Sequence, residues 1–145
     1  MKNPSILLAI CLIFLLPAVV GAQSNAEPSL HVGTAPCQVF SGNLAANTTT
    51  HLDVRGLCNV TDEATAVEFA VHVTAAGTGT LKLWEYDGSQ PSANAMSYNS
   101  GTFSSFADVR VCAPLGECAA NDISVRSTTA ITLTLVVEGF FLPPV

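Results

Sequence analysis

The chain has 145 residues, with 5 Lys+Arg against 11 Asp+Glu and a formal net charge of −6. An acidic balance argues against nucleic acid and anionic membrane surfaces as partners, because both call for a basic patch. The length suits one domain, which would bury about two thirds of its unfolded surface.

Met1-Lys2-Asn3, the apolar run 6–20 and then Val20-Gly21-Ala22 read as a secretory signal peptide, residues 1–22, cut after Ala22. A membrane anchor is the weaker reading: the run is short of the roughly 20 residues a spanning helix needs, and Pro17 interrupts it. No membrane span is expected after removal of the signal, and the expected location is extracellular. Cys11 leaves with the leader; too little apolar sequence precedes it for a lipidated cysteine. The secreted chain keeps 4 Lys+Arg against 11 Asp+Glu.

Residues 23–35, polar and carrying Pro28 and Gly33, are expected to form a flexible leader to a folded domain over residues 36–145. Cys37-Gln38-Val39-Phe40 suggests a short strand, Ser41-Gly42-Asn43 a turn, and His51-Leu52-Asp53-Val54-Arg55 another strand ending at Gly56. Residues 62–65 would connect, with at most one helical turn. In residues 67–86, Val67, Phe69, Val71 and Val73 alternate with other residues, Ala75-Ala76-Gly77-Thr78-Gly79 intervenes, and Leu81 and Leu83 resume the alternation. This pattern predicts two half-buried strands joined as a hairpin. Val73 would then face Leu81 on the core side, while His72 with Lys82, Ala70 with Trp84, and Glu68 with Tyr86 would share the other side.

Residues 87–105 hold the turn signals Asp87-Gly88 and Asn99-Ser100-Gly101, so a long loop with one short strand at Met96-Ser97-Tyr98 is expected. Strands follow at 106–112, 122–126 and 131–137. The wholly apolar face Ile131, Leu133, Leu135, Val137 marks the last of these as an interior strand. No stretch outside the leader keeps a 3.6-residue apolar period. The predicted fold is all-β, a single antiparallel β-sandwich or jelly roll of seven to eight strands.

Four cysteines remain after the leader, an even number in an oxidising compartment, and three pairings are formally open. Cys37 with Cys58 and Cys112 with Cys118 are favoured: the first ties the N-terminal segment to the entry of the central stretch, and the second closes a short Ala-Pro-Leu-Gly-Glu loop. Zinc is the competing use, but there is no Cys-x-x-Cys pair and no histidine at ligand spacing.

Ala35-Pro36-Cys37, Gly56-Leu57-Cys58, Ala64-Thr65-Ala66-Val67, Val71-His72-Val73-Thr74, Gly79-Thr80-Leu81 and Val137-Glu138-Gly139-Phe140-Phe141 together resemble a β-domain family of secreted bacterial proteins. The family pattern runs Pro-Cys-Arg, Cys-Gly, Ala-x-Ala-Val, Asn-Val-Thr-Val, Gly-x-Leu and Val-x-Gly-Tyr-Phe, in surface proteins and beside cell-wall hydrolases. This chain departs where Phe40-Ser41-Gly42 replaces the family's Asp-Thr-Arg and where Ala70 falls near its Asn. The resemblance implies a non-catalytic accessory domain with no defined ligand, and it supports the Cys37–Cys58 bridge.

Chemistry-bearing motifs are few. His31, His51 and His72 lack metal-ligand spacing, there is no Gly-x-Ser-x-Gly elbow, and no metal or cofactor is expected. Glu68, His72 and Lys82 on one face could act as an acid–base group, but a solvated face with weak ion pairs accounts for them more simply. Trp84 and Tyr86 are the candidate ligand-binding pair, since flat aromatics on a sheet face stack on sugars or anchor a protein partner; packing beneath the 87–105 loop is the plainer alternative. Asn47-Thr48-Thr49 and Asn59-Val60-Thr61 match the glycosylation acceptor pattern. The expected function is secreted, non-enzymatic adhesion or cell-surface association. A carbohydrate-binding module using Trp84, Tyr86, Glu68, His72 and Lys82 is the first alternative, and a small extracellular hydrolase the second. Expected partners are a glycan or a surface protein.

Overall fold

The computed structural model of the chain describes residues 29–112 and 121–144. Eight strands follow one another: β1 (Leu30–Leu44), β2 (Thr49–Leu52), β3 (Ala66–Ala75), β4 (Gly79–Glu85), β5 (Met96–Tyr98), β6 (Gly101–Arg110), β7 (Ile123–Ser127) and β8 (Ile131–Leu142). They form two antiparallel four-stranded sheets, β1-β8-β3-β6 (sheet A) and β2-β7-β4-β5 (sheet B). The pairings nest as β1 with β8, β2 with β7, β3 with β6 and β4 with β5. That nesting is the jelly-roll form of the sandwich, in agreement with the fold class expected from the sequence.

The core follows from alternation. Val67, Phe69, Val71 and Val73 of β3 and Ile131, Leu133, Leu135 and Val137 of β8 are buried and meet Leu81, Leu83, Ile123 and Val125 of sheet B. Each such side chain contributes about 1.5–3 kcal/mol when taken fully out of water. A one-residue slip would turn a whole set outward, so the register is strongly specified. β8 lies between β1 and β3, an interior strand as its apolar face predicts.

Three expectations are corrected. First, residues 67–86 are not a hairpin: β3 lies in sheet A and β4 in sheet B. Residues 76–78 form an arch from one sheet to the other, and Gly79 lands so close to Tyr98 that an added Cβ would sit 2.5 Å from its hydroxyl. Second, residues 30–35 are not a flexible leader but the start of β1, with Leu30 opposite Leu142 and Val32 opposite Phe140. The ladder breaks between Gly33 and Cys37, which places Pro36, with no N–H to donate, in a bulge of an edge strand. Third, Ser41-Gly42-Asn43 is not a turn but continues β1, and β6 begins at Gly101 rather than Phe106.

The Cys37–Cys58 disulfide is present, with the Cα atoms 5.5 Å apart. It joins the edge strand of sheet A to the loop that leaves the edge strand of sheet B. Close by, the buried Asp122 accepts hydrogen bonds at Oδ2 from the Val54 and Arg55 backbone N–H groups, both at 2.7 Å. Its Oδ1 accepts from Arg55 Nε at 2.7 Å and Nη2 at 2.6 Å. Cys112 is fully buried; its expected partner Cys118 lies outside the described residues, as do the predicted signal peptide 1–22 and residues 23–28. Among the described residues no helix is long and apolar enough to cross a membrane.

Candidate functional site

The arch between β3 and β4 divides the five candidate residues. Glu68 and His72 alternate with the buried residues of β3 and therefore project from the outside of sheet A. Lys82 and Trp84 alternate with Leu81 and Leu83 and project from the outside of sheet B, with Tyr86 just beyond. The two groups stand on opposite exteriors of the sandwich, so Glu68, His72 and Lys82 form no common acid–base site. Ala70 lies between Val136 and Phe106, not beside Trp84.

The outside of sheet A is a plate of short polar side chains. One row across β1, β8, β3 and β6 reads Asn43, Thr132, Thr74, Thr102; the next reads Ser41, Thr134, His72, Ser104; the third reads Gln38, Val136, Ala70, Phe106. Neighbours lock together: Thr132 Oγ1 donates to Asn43 Oδ1 at 2.8 Å, and the Thr74–Thr102 and Ser41–Thr134 hydroxyls meet at 3.1 and 3.0 Å. His72 Nδ1 shares a hydrogen bond with Ser104 Oγ at 2.7 Å. Sheet geometry spaces such groups about 4.8 Å across strands and about 6.7 Å along them. At the end of the plate Phe106 is 69% exposed, beside the small Ala70. Farther along, His31 Nε2 lies 3.0 Å from Glu68 Oε2 and its ring 4.9 Å from that of Phe141. This closeness requires Gly139, where an added Cβ would come within 2.5 Å of His31 Nε2.

On the outside of sheet B one cross-strand row is His51, Ser124, Trp84. His51 Nδ1 and Ser124 Oγ share a hydrogen bond at 2.9 Å, and the edge of one ring meets the face of the other between His51 and Tyr86 at 4.8 Å. A Ser–His contact invites a catalytic reading, but Ser124 is 0% exposed beneath its neighbours and presents no nucleophile to a substrate. Trp84 is half-buried and borders a hollow of about 250 Å³ shared with Ser89, Pro91, Asp108 and Arg110. The next row is Thr49, Arg126, Lys82. Sequence reading missed His51, Ser124 and Arg126 as neighbours of Trp84 and Lys82, because the strands carrying them are distant in the chain and no local pattern links them.

Among the described residues no group of three or more His, Cys, Asp or Glu side chains is arranged to hold a metal ion. No protein-family model matches the chain, and no curated protein matches it.

Proposed function

We propose that this is an exported, non-enzymatic β-sandwich that associates with a cell or polymer surface, and that it does so with the outside of sheet A. The observation that carries the reading is Phe106, a large apolar side chain left 69% exposed beside the hydroxyl-bearing rows of sheet A. An exposed aromatic next to the apolar pair Ala70 and Val136, with the hydroxyl rows beside them, offers a partner an anchor, and ordered hydroxyls suit a hydroxyl-rich polymer. The leader-like N-terminus and the sequence resemblance to a surface-protein β-domain point the same way.

The test is sedimentation of the purified domain with insoluble polysaccharides and bacterial cell walls. Wild-type protein should pellet with at least one of them, and F106S, whose side chain contributes little to folding because it is exposed, should lose most of that binding. A domain that stays in the supernatant throughout, or an F106S variant that pellets like wild type, overturns the proposal.

A second reading is a carbohydrate site at Trp84 and Tyr86, favoured by the partial exposure of both residues and by the hollow beside Trp84. Trp84 is the only tryptophan, so glycan titrations followed by its fluorescence test this site directly. A saturable change that persists in F106S supports it; a silent titration removes it.

A further inference from the structure

We infer that the outside of sheet B carries a separate binding site for an acidic saccharide, built on Lys82 and Arg126. Four Lys and Arg side chains follow the leader: Arg55, Lys82, Arg110 and Arg126. Arg55 is ion-paired with Asp122. Lys82 and Arg126 are direct cross-strand partners in β4 and β7, and like charges set opposite each other in a sheet are destabilising. Among the described residues neither makes an ion pair. What they touch is neutral: Lys82 Nζ donates to Pro91 O at 2.6 Å, and Arg126 Nη1 donates to Gln90 Oε1 at 3.2 Å.

The two cations line a hollow of about 290 Å³ together with Asn47, Gln90, Asn94 and Thr80, and among the described residues no carboxylate lines it. A guanidinium with free donors beside an ammonium is matched by a carboxylate or sulfate. The surrounding amides and hydroxyl suit the hydroxyls of a sugar ring, and the volume sits at the small end of ligand sites. Asn47 is held at φ 57° with its N–H bonded to Ser127 O at 2.7 Å, so the rim is fixed by the backbone rather than by a swinging loop side chain. Together these groups would take one residue of a sugar acid, with the acid group between Lys82 and Arg126. The site faces away from the sheet A plate, so it stands whether or not that plate is the surface contact.

The experiment is an NMR titration of bacterially produced protein, in which Asn47 stays unmodified, with D-glucuronate, D-glucose and inorganic sulfate. The expected result is saturable shifts at the Asn47, Lys82 and Arg126 amides with glucuronate, at least tenfold weaker binding of glucose and sulfate, and weakening of glucuronate binding by added salt. K82Q and R126Q should each weaken glucuronate at least tenfold while leaving Tm unchanged or raised, since each removes a like-charge contact; a structural role would lower Tm instead. Glucose or sulfate binding as tightly as glucuronate, shifts outside this hollow, or variants that bind like wild type would overturn the inference.

Discussion

Replacing Asp122 with Ala tests a buried charged joint that ties the 54–55 loop to the start of β7. Its carboxylate is nearly buried and accepts the Val54 and Arg55 backbone N–H groups and two Arg55 guanidinium N–H groups, all at 2.6–2.7 Å. Its backbone also bridges strands: its C=O accepts from Tyr86 and Cys112, and its N–H donates to Leu52 O. Alanine keeps the backbone bonds, so the loss isolates the carboxylate. Adding about 1.5–3 kcal/mol for each of four charged hydrogen bonds would overshoot, because all four share one acceptor group and water reaches part of the vacated space. Breaking one side of a buried ion pair costs about 3–5 kcal/mol, and that is the expected loss for D122A. D122N, which keeps one acceptor oxygen but turns an NH₂ toward donors, should cost about 2–3 kcal/mol by the penalty for an unmet buried polar group. Urea unfolding followed by circular dichroism at neutral pH measures both. In a D122A/R55L double variant the losses should fall short of the sum of the singles, as expected for groups in contact. A D122A loss below about 1 kcal/mol, the range of ordinary substitutions, would refute the account of this joint.

Leu135 is fully buried in an interior strand, so L135A should cost about 2–5 kcal/mol; a loss under about 0.5 kcal/mol would place it outside the core. Gly139→Ala would set a Cβ 2.5 Å from His31 Nε2 and 2.9 Å from Val32 O. His31 can swing away but the backbone carbonyl cannot, so G139A should cost about 1–3 kcal/mol by overpacking, and a thermal melt unchanged from wild type would contradict this. Removing the Cys37–Cys58 bridge, with its sequence separation of 21, in a C37S/C58S variant should cost about 3 kcal/mol in the loop-entropy model. Denaturant unfolding of oxidised and variant protein reads this difference, and equal stabilities would remove the bridge from the account.

Period-two alternation of β-formers and Gly-rich punctuation pointed to an all-β sandwich, the interior position of β8 and the short strand at Met96–Tyr98, while the even cysteine count left three pairings open, of which the structure shows the favoured Cys37–Cys58 bridge. These properties are local or depend on composition: which side chains share a face is set by the pleat, and an apolar set must be buried whatever it packs on. What alternation cannot carry is the identity of the neighbouring strand. In a hairpin and in an arch alike, Val71, Val73, Leu81 and Leu83 point into one core, so the same residues satisfy both arrangements. The choice went to the arch because β3 finds its partners in β6 and β8, and β4 in β5 and β7. That single difference moved Glu68 and His72 to one exterior and Lys82 and Trp84 to the other. Residues 30–35 carry no strand signal for a related reason: a short, Gly-containing sequence running into Pro36 is tolerated where an edge strand bulges, and only the pairing with residues 139–142 of β8 makes them a strand. The juxtapositions that matter most, Lys82 with Arg126, His51 with Ser124, and Asp122 with Arg55, join residues 44, 73 and 67 positions apart. Contacts of that separation exist only once the roll closes, because the nested pairing, not any local pattern, brings those strands together.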